Sequence, residues 1–333
     1  FRLWAPPLPM VLDWRRAFDG PAEVDDYLNW IEARVTNEGA EARKAWWDFT
    51  VSKSGDWRRT DQFWFPVQPG QTEKRVVRVP FEARLAFGSP ADLAAADPDV
   101  WLQRTVDYWR GLLEGAARIE VPCRKSTDAL LAAHVCQLIA NDHGELHGGE
   151  GFYDEFYIRD GGYQLMELEE AGLADAAAKA VDCYLQKQRP DGRFESQEKQ
   201  FDANGQAMWV LWQYARNTGD RPWLERAYPP MVRAADWIAQ ARREAPADSV
   251  FAGLLPAAPA DGEFLWDGKH HIVGYDLWNL RGLLCVADAA EQLGRTAEAR
   301  RWREEAAQYR EAIDAACRRS GVAHFPPSWE QDG

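Results

Sequence analysis

The chain has 333 residues, a formal charge of −14, 46% apolar and 28% charged residues. This is enough for two domains with ordinary cores. The acidic balance and the lack of any Lys/Arg-rich run argue against a nucleic-acid backbone as partner, since that binding needs clustered cations. No apolar stretch reaches the roughly 18–20 residues a membrane helix needs.

The sequence opens on Phe1 and closes on Trp329-Glu330-Gln331-Asp332-Gly333. It reads as a piece of a longer protein, so it carries no information on localisation. Oligomeric state is not legible either. The five cysteines are too scattered for a disulfide framework or a metal knuckle. Cys136, Cys183, Cys285 and Cys317 are expected as small buried apolar residues in helices. Tryptophan is abundant, at 17 residues. Aromatic faces together with many carboxylates suit a chain that stacks on sugar rings and grips their hydroxyls.

Up to about residue 88 the texture is that of strands. Residues 32–37, 45–51, 62–67 and 75–80 are alternating or aromatic/β-branched runs set between Gly, Asn, Asp and Pro. We expect residues 1–90 to be the C-terminal part of a β-sandwich. Beyond Ser89-Pro90, Asp97 opens a helical pattern, and 91–127 is expected as a linker-helix region. Seven helical segments follow, at about 128–140, 161–171, 174–188, 203–218, 222–243, 275–293 and 296–319.

The connections between these helices alternate in length. Those around Gly172, Gly219 and Gly294 are tight, with glycine where a helix end favours positive φ. The others, at about 141–160, 189–202, 244–274 and 320 onward, are long and hold most of the His, Asp and loop aromatics. In an up-and-down array every second loop lies at the same end, so the long loops should share one face, and function gathers on such loops. The pattern fits a mainly α fold, a partial (α/α)6 barrel over 128–333.

Several segments add to this reading: Phe156-Tyr157-Ile158-Arg159-Asp160-Gly161-Gly162-Tyr163, Gln188-Arg189-Pro190-Asp191-Gly192-Arg193-Phe194, Phe201-Asp202-Ala203-Asn204-Gly205, Thr218-Gly219-Asp220 and Leu265-Trp266-Asp267-Gly268-Lys269-His270-His271. In this order, over about 230 residues, the chain resembles the six-hairpin glycosidases, closest to the glucoamylase type. The resemblance implies an exo-acting, inverting glycoside hydrolase acting on an oligosaccharide or glycoside, without a cofactor or metal. Such enzymes place an acid and a base roughly 6.5–9.5 Å apart, with room for water between them. The resemblance puts the acid in the loop 244–274 and the base in the last hairpin loop of a complete barrel, beyond these residues. A rhamnosidase-like or other six-hairpin glycosidase is the near alternative. A non-catalytic sugar-binding relative is another.

Among the carboxylates of 244–274, Asp267 follows Trp266 and aligns with the family's Trp-Glu-Glu acid, with Asp for the first Glu and Gly268 for the second. Glu263 is the other candidate, ahead of Asp261. A Trp-lined pocket would keep such a carboxyl protonated. For substrate binding, Tyr157 would stack on a sugar while Arg159 and Asp160 read a vicinal diol with fixed donors and a strong acceptor. Asp202 would hold a hydroxyl or serve as an N-cap. Trp266, His271, Trp329 and Glu330 complete the expected binding set on the long loops. Glu195 and Glu198 are expected as solvated charges, and Trp209, Trp212, Trp237 and Trp302 as core.

Overall fold

The structure, a computed structural model, describes residues 2–4, 28–52, 58–80, 95–142, 144–149, 153–259, 268–321 and 323–330. The chain divides into two compact units, 1–114 and 115–333. The division falls after the expected linker helix, which belongs to the first unit.

In the first unit, β1 (Arg2–Trp4), β2 (Leu28–Thr36) and β5 (Thr72–Pro80) form an antiparallel sheet in the order β1-β2-β5. A second antiparallel pair joins β3 (Arg43–Ser52) to β4 (Arg58–Val67). The four expected strands are present; the three-residue β1 is too short to show a pattern. Asn37 links the two sheets: its backbone N–H donates to Gln71, and its buried side chain donates to the carbonyls of Glu41 and Val67, both at 2.8 Å. Arg75 lies over the buried ring of Phe65, 4.4 Å from its centroid. Helix α1 (Pro98–Leu112) starts at the N-cap Asp97, whose side chain accepts from the Asp99 N–H at 2.8 Å, with proline in the first turn.

The second unit is helical: α2 (Arg124–Ile139), α3 (Ile158–Glu170), α4 (Ala174–Gln186), α5 (Asp202–Thr218), α6 (Arg221–Ala241), α7 (Val273–Gln292) and α8 (Thr296–Ser320). A two-residue hairpin, β6 (Asn141–Asp142) and β7 (Glu145–Leu146), precedes α3. All seven expected helices are found. Helices α2 and α3 begin three to four residues earlier than expected, α2 at an N-cap, Cys123, that makes no side-chain capping bond.

Helices α3, α5 and α7 run side by side and parallel. Gly162 on α3 faces Val210 and Trp209 on α5, while Gly205 on α5 faces Trp278 and Asn279 on α7. At the far ends Asn217 donates to Glu169, and Arg221 donates to the carbonyls of Gln292 and Leu293 at 2.7 and 3.1 Å. The even-numbered helices flank this row and run the other way. The Tyr184 hydroxyl, late in α4, donates to the carbonyl of Ile158 at the start of α3. Tyr309, late in α8, reaches the first turn of α7. This inner row with flanking outer helices is part of an (α/α)6 barrel. The core lies between the two layers and includes Leu165, Leu168, Met208, Leu211, Leu283 and Trp302.

The tight turns contain Gly172, Gly219 and Gly294, all with positive φ. Gly219, at φ 67°, directly caps α5. These turns lie at the C-terminal ends of the inner helices, opposite the long loops. Cys183 and Cys285 are buried, but Cys136 is exposed and Cys317 intermediate, against expectation. A small apolar residue in a helical pattern does not reveal which face it occupies.

Among the described glycines the tightest contact is at Gly205, where an added Cβ would sit 2.1 Å from the carbonyl oxygen of Trp278. Overpacking usually costs about 1–3 kcal/mol, and a rigid backbone neighbour places Gly205→Ala at or above the top of that range. At Gly274, early in α7, the same methyl meets nothing within 4 Å. Gly274→Ala should be neutral or stabilise by up to about 1 kcal/mol. Denaturant midpoints measure both; equal effects would contradict the α5–α7 contact.

Candidate active site

The N-terminal ends of α3, α5 and α7 lie together, and the long loops converge on them. Tyr157 is the N-cap of α3, with Arg159 and Asp160 in its first turn. An antiparallel bridge, His147↔Phe156, closes the preceding loop, and the Gln164 amide donates to the His147 carbonyl at 2.7 Å. Phe156 is buried edge-on against Tyr184, with Lys187 4.8 Å from its ring centroid. This anchors Tyr157, whose ring meets the exposed Tyr153 edge-on at 6.4 Å. Arg159 and Asp160 form a loose ion pair at 3.8 Å with both side chains part-exposed. Ser196, from the next loop, accepts from the Ile158 N–H at 3.1 Å and so caps α3.

Asp202 is the first residue of α5, with Phe201 as N-cap. It is buried, accepting from the Ala203 N–H and the Gln206 amide, both at 3.0 Å. Glu195 is not solvated: it is 9% exposed, bound by Arg193 at 2.5 Å, and accepts from the Lys199 N–H. Glu198 is exposed, as expected. Arg193 also lies over Phe201 and Trp237.

Two asparagines tie the loops to the helices. Asn204 accepts from the Phe194 N–H and donates to the Asn279 side chain, each at 3.0 Å. Asn279 in turn donates to the carbonyls of Phe201 and Tyr275, both at 2.8 Å. Both asparagines are 0% exposed. The aromatic row Tyr163, Trp209 and Trp278 crosses the three inner helices, with centroids 5.8 and 5.6 Å apart. Trp209 is therefore half-buried, and so is Trp237, whereas Trp212 and Trp302 are core.

The acid candidates Asp267 and Glu263, and with them Asp261 and Trp266, lie outside the described residues. The segments on either side are described. Ala258 and His270 exchange backbone hydrogen bonds, both 2.9 Å, and the Tyr275 hydroxyl donates to the Pro259 carbonyl at 2.9 Å. His271 lies flat against Phe251, with centroids 3.8 Å apart, and its Nδ1 is 2.5 Å from Glu330. The His271 N–H also donates to that carboxylate. Trp329 donates its indole N–H to Asp276 at 2.7 Å.

Asp276 is the principal site residue that sequence reasoning missed. It is 1% exposed, in the first turn of α7. It accepts from the Leu255 N–H at 2.9 Å and the Tyr309 hydroxyl at 2.6 Å, besides Trp329. Burial pushes its carboxyl above the ordinary aspartate range against the pull of these donors. In sequence it is one more acidic residue at a helix start; its partners lie 21, 33 and 53 positions away.

Among the described residues Asp142, His147 and Asp154 bring possible metal-ligating atoms within 4.8 Å of one another. The His147 Nδ1 is already 2.8 Å from Asp154, and both aspartates are exposed. Of the expected binding residues, the structure brings Tyr157, Arg159, Asp160, Asp202, His271, Trp329 and Glu330 to the same end of the helical row. Asp202 is held by Gln206, Trp329 by Asp276, and His271 and Glu330 by each other.

No protein-family profile matches the sequence, and no curated protein does either. Among solved structures the chain is similar to a bacterial glucoamylase complexed with acarbose, at 12% identity and a TM-score of 0.52. The match covers 86% of this chain and 46% of that one, so the chain spans less than half of its neighbour's length. An α-L-rhamnosidase from Dictyoglumus thermophilum matches at 12% identity and a TM-score of 0.42, over 87% of this chain and 35% of that one.

Replacing Asp276 by Asn turns an acceptor into a donor facing one of three donors. The loss should be about 1–3 kcal/mol, the cost of an unsatisfied buried polar group, while Tyr309→Phe should cost about 1 kcal/mol. Chemical denaturation checks both, and Asp276→Asn should also shift the tryptophan emission as Trp329 loses its partner. The likeness to the glucoamylase is one of fold: the chain shares part of the fold of that structure.

Proposed function

We propose that the chain is part of an exo-acting, inverting glycoside hydrolase of glucoamylase type, cleaving terminal sugars by general acid/base catalysis. In this reading residues 1–90 are part of a β-sandwich, 91–127 the linker region and 128–333 part of the catalytic barrel. One observation carries the proposal. The part-exposed Arg159–Asp160 pair, the capping Tyr157, Asp202 and the His271 loop all stand at the N-terminal ends of three parallel inner helices. A cation with fixed donors, an acceptor and an aromatic face are what a terminal sugar requires.

Arg159, Asp160 and Asp202 bind hydroxyls, Tyr157 and Trp266 stack on the ring, and His271 with Trp329 and Glu330 borders the pocket. Asp267 is the general acid, with Glu263 the alternative. The acid protonates the leaving oxygen while a base activates water on the opposite face of the sugar. Since the similar glucoamylase was solved with acarbose, that compound is the natural probe.

Two measurements test the reading. Acarbose binding, by calorimetry, should weaken in Arg159→Ala by the worth of charge-assisted hydrogen bonds, about 1.5–3 kcal/mol each. Unchanged affinity with a large loss of thermal stability would make Arg159 a structural ion pair instead. In the full-length protein, Asp267→Asn should lower kcat roughly 10²–10⁴-fold on a glycoside with a poor leaving group. On a glycosyl fluoride, whose departure needs little protonation, the loss should be much smaller. An equal loss on both, or this signature only in Glu263→Gln, would remove Asp267 as the acid.

A further inference from the structure

The residues after α8 form a short strap across the entrance to α7. Ser328 bridges Ile272 in antiparallel fashion; the Val273 N–H donates to the Pro327 carbonyl at 3.2 Å and the Trp329 N–H to the His271 carbonyl at 3.0 Å. Two side chains lock the strap from either side. The Trp329 indole N–H reaches Asp276 inside α7, and the Glu330 carboxylate takes both the N–H and the Nδ1 of His271. Ser328 is 0% exposed and Trp329 half-buried, so the middle of the strap is packed into the unit while Pro327 and Glu330 face solvent.

The strap grips the stretch 271–276. That stretch continues directly from the Ala258↔His270 bridge, which closes the base of the loop carrying the candidate acid. We infer that Trp329 and Glu330 are positioning residues: they fix the stem of the acid-bearing loop through Asp276 and His271 rather than by contact with the sugar. This rests on the glycosidase reading above, and it reassigns two residues expected from the sequence as sugar contacts. The physical basis is that proton transfer to a leaving oxygen depends steeply on placement. A shift of about 1 Å at a reacting group can cost roughly 10²-fold in rate. A five-point anchorage on one side of the stem, supplied by the next hairpin, limits that shift.

The test uses Trp329→Phe and Glu330→Gln in the full-length protein, with the two substrates of opposite leaving-group quality. Trp329→Phe removes the indole donor while keeping an aromatic ring. Glu330→Gln keeps an acceptor for the His271 N–H, so that one variant folds even if the other does not. The expected result is a fall in kcat of roughly 10-fold or more on the poor leaving group, little change on the glycosyl fluoride, and KM nearly constant for both. A rise in KM alike for both substrates would make the residues sugar contacts and overturn the inference. So would a lower melting temperature with unchanged kinetics, which marks a purely structural strap. Asp267→Asn and Glu263→Gln serve as controls. If one shows the leaving-group signature and the strap variants do not, only the positioning role fails. If neither shows it, the glycosidase reading fails and the inference with it.

Discussion

The arrangement of the site depends on how closely α5 and α7 approach. Gly205 lies directly against the Trp278 backbone, and no larger residue fits without moving a helix. That contact brings Asn204 and Asn279 within hydrogen-bonding distance, and each then has backbone groups of neighbouring segments to satisfy. A buried amide left without partners is costly, so the pair is stable only with both helices in this register. The register in turn sets the N-terminal ends of the inner helices level. Whatever the long loops present, they present from one rim.

The rim is held by polar groups that water does not reach. Glu195 is neutralised by Arg193, and Asp276 is surrounded by an amide, a phenol and an indole. Arg242 ties the end of α6 to Glu305 on α8 at 2.6 Å and donates to the Gly253 carbonyl at 2.8 Å. Buried charges that are paired resist displacement, because removing one partner exposes the other to the whole desolvation penalty. They are suited to holding loops in place. Arg159 and Asp160 differ from them in burial: both side chains of this 3.8 Å ion pair are part-exposed.

Helices were legible in the sequence because their apolar spacing is regular and three of their connections are short and glycine-bearing. The same alternation of loop length gave the two ends of the array. Tyr157, Asp202 and Trp329 lie at one end and Gly172, Gly219 and Gly294 at the other, while Trp266 lies outside the described residues. Pairing across the fold was not legible. Glu195 reads as one charge among several in a polar loop, and only the turn around Gly192 folds Arg193 back onto it. Trp329 follows the pattern of a loop aromatic free to stack on a sugar; its indole N–H is committed to a residue 53 positions earlier. Trp209 obeys helical spacing, yet sits on the face that α3, α5 and α7 share with Tyr163 and Trp278.

The account turns on one rim binding a sugar. Backbone hydrogen exchange of the 333-residue chain, with and without acarbose, measures this directly. The account predicts slower exchange confined to residues 156–161, 195–204 and 270–276, with the turns at Gly172, Gly219 and Gly294 unchanged. Protection at those turns instead, or no protection at any acarbose concentration, would contradict it.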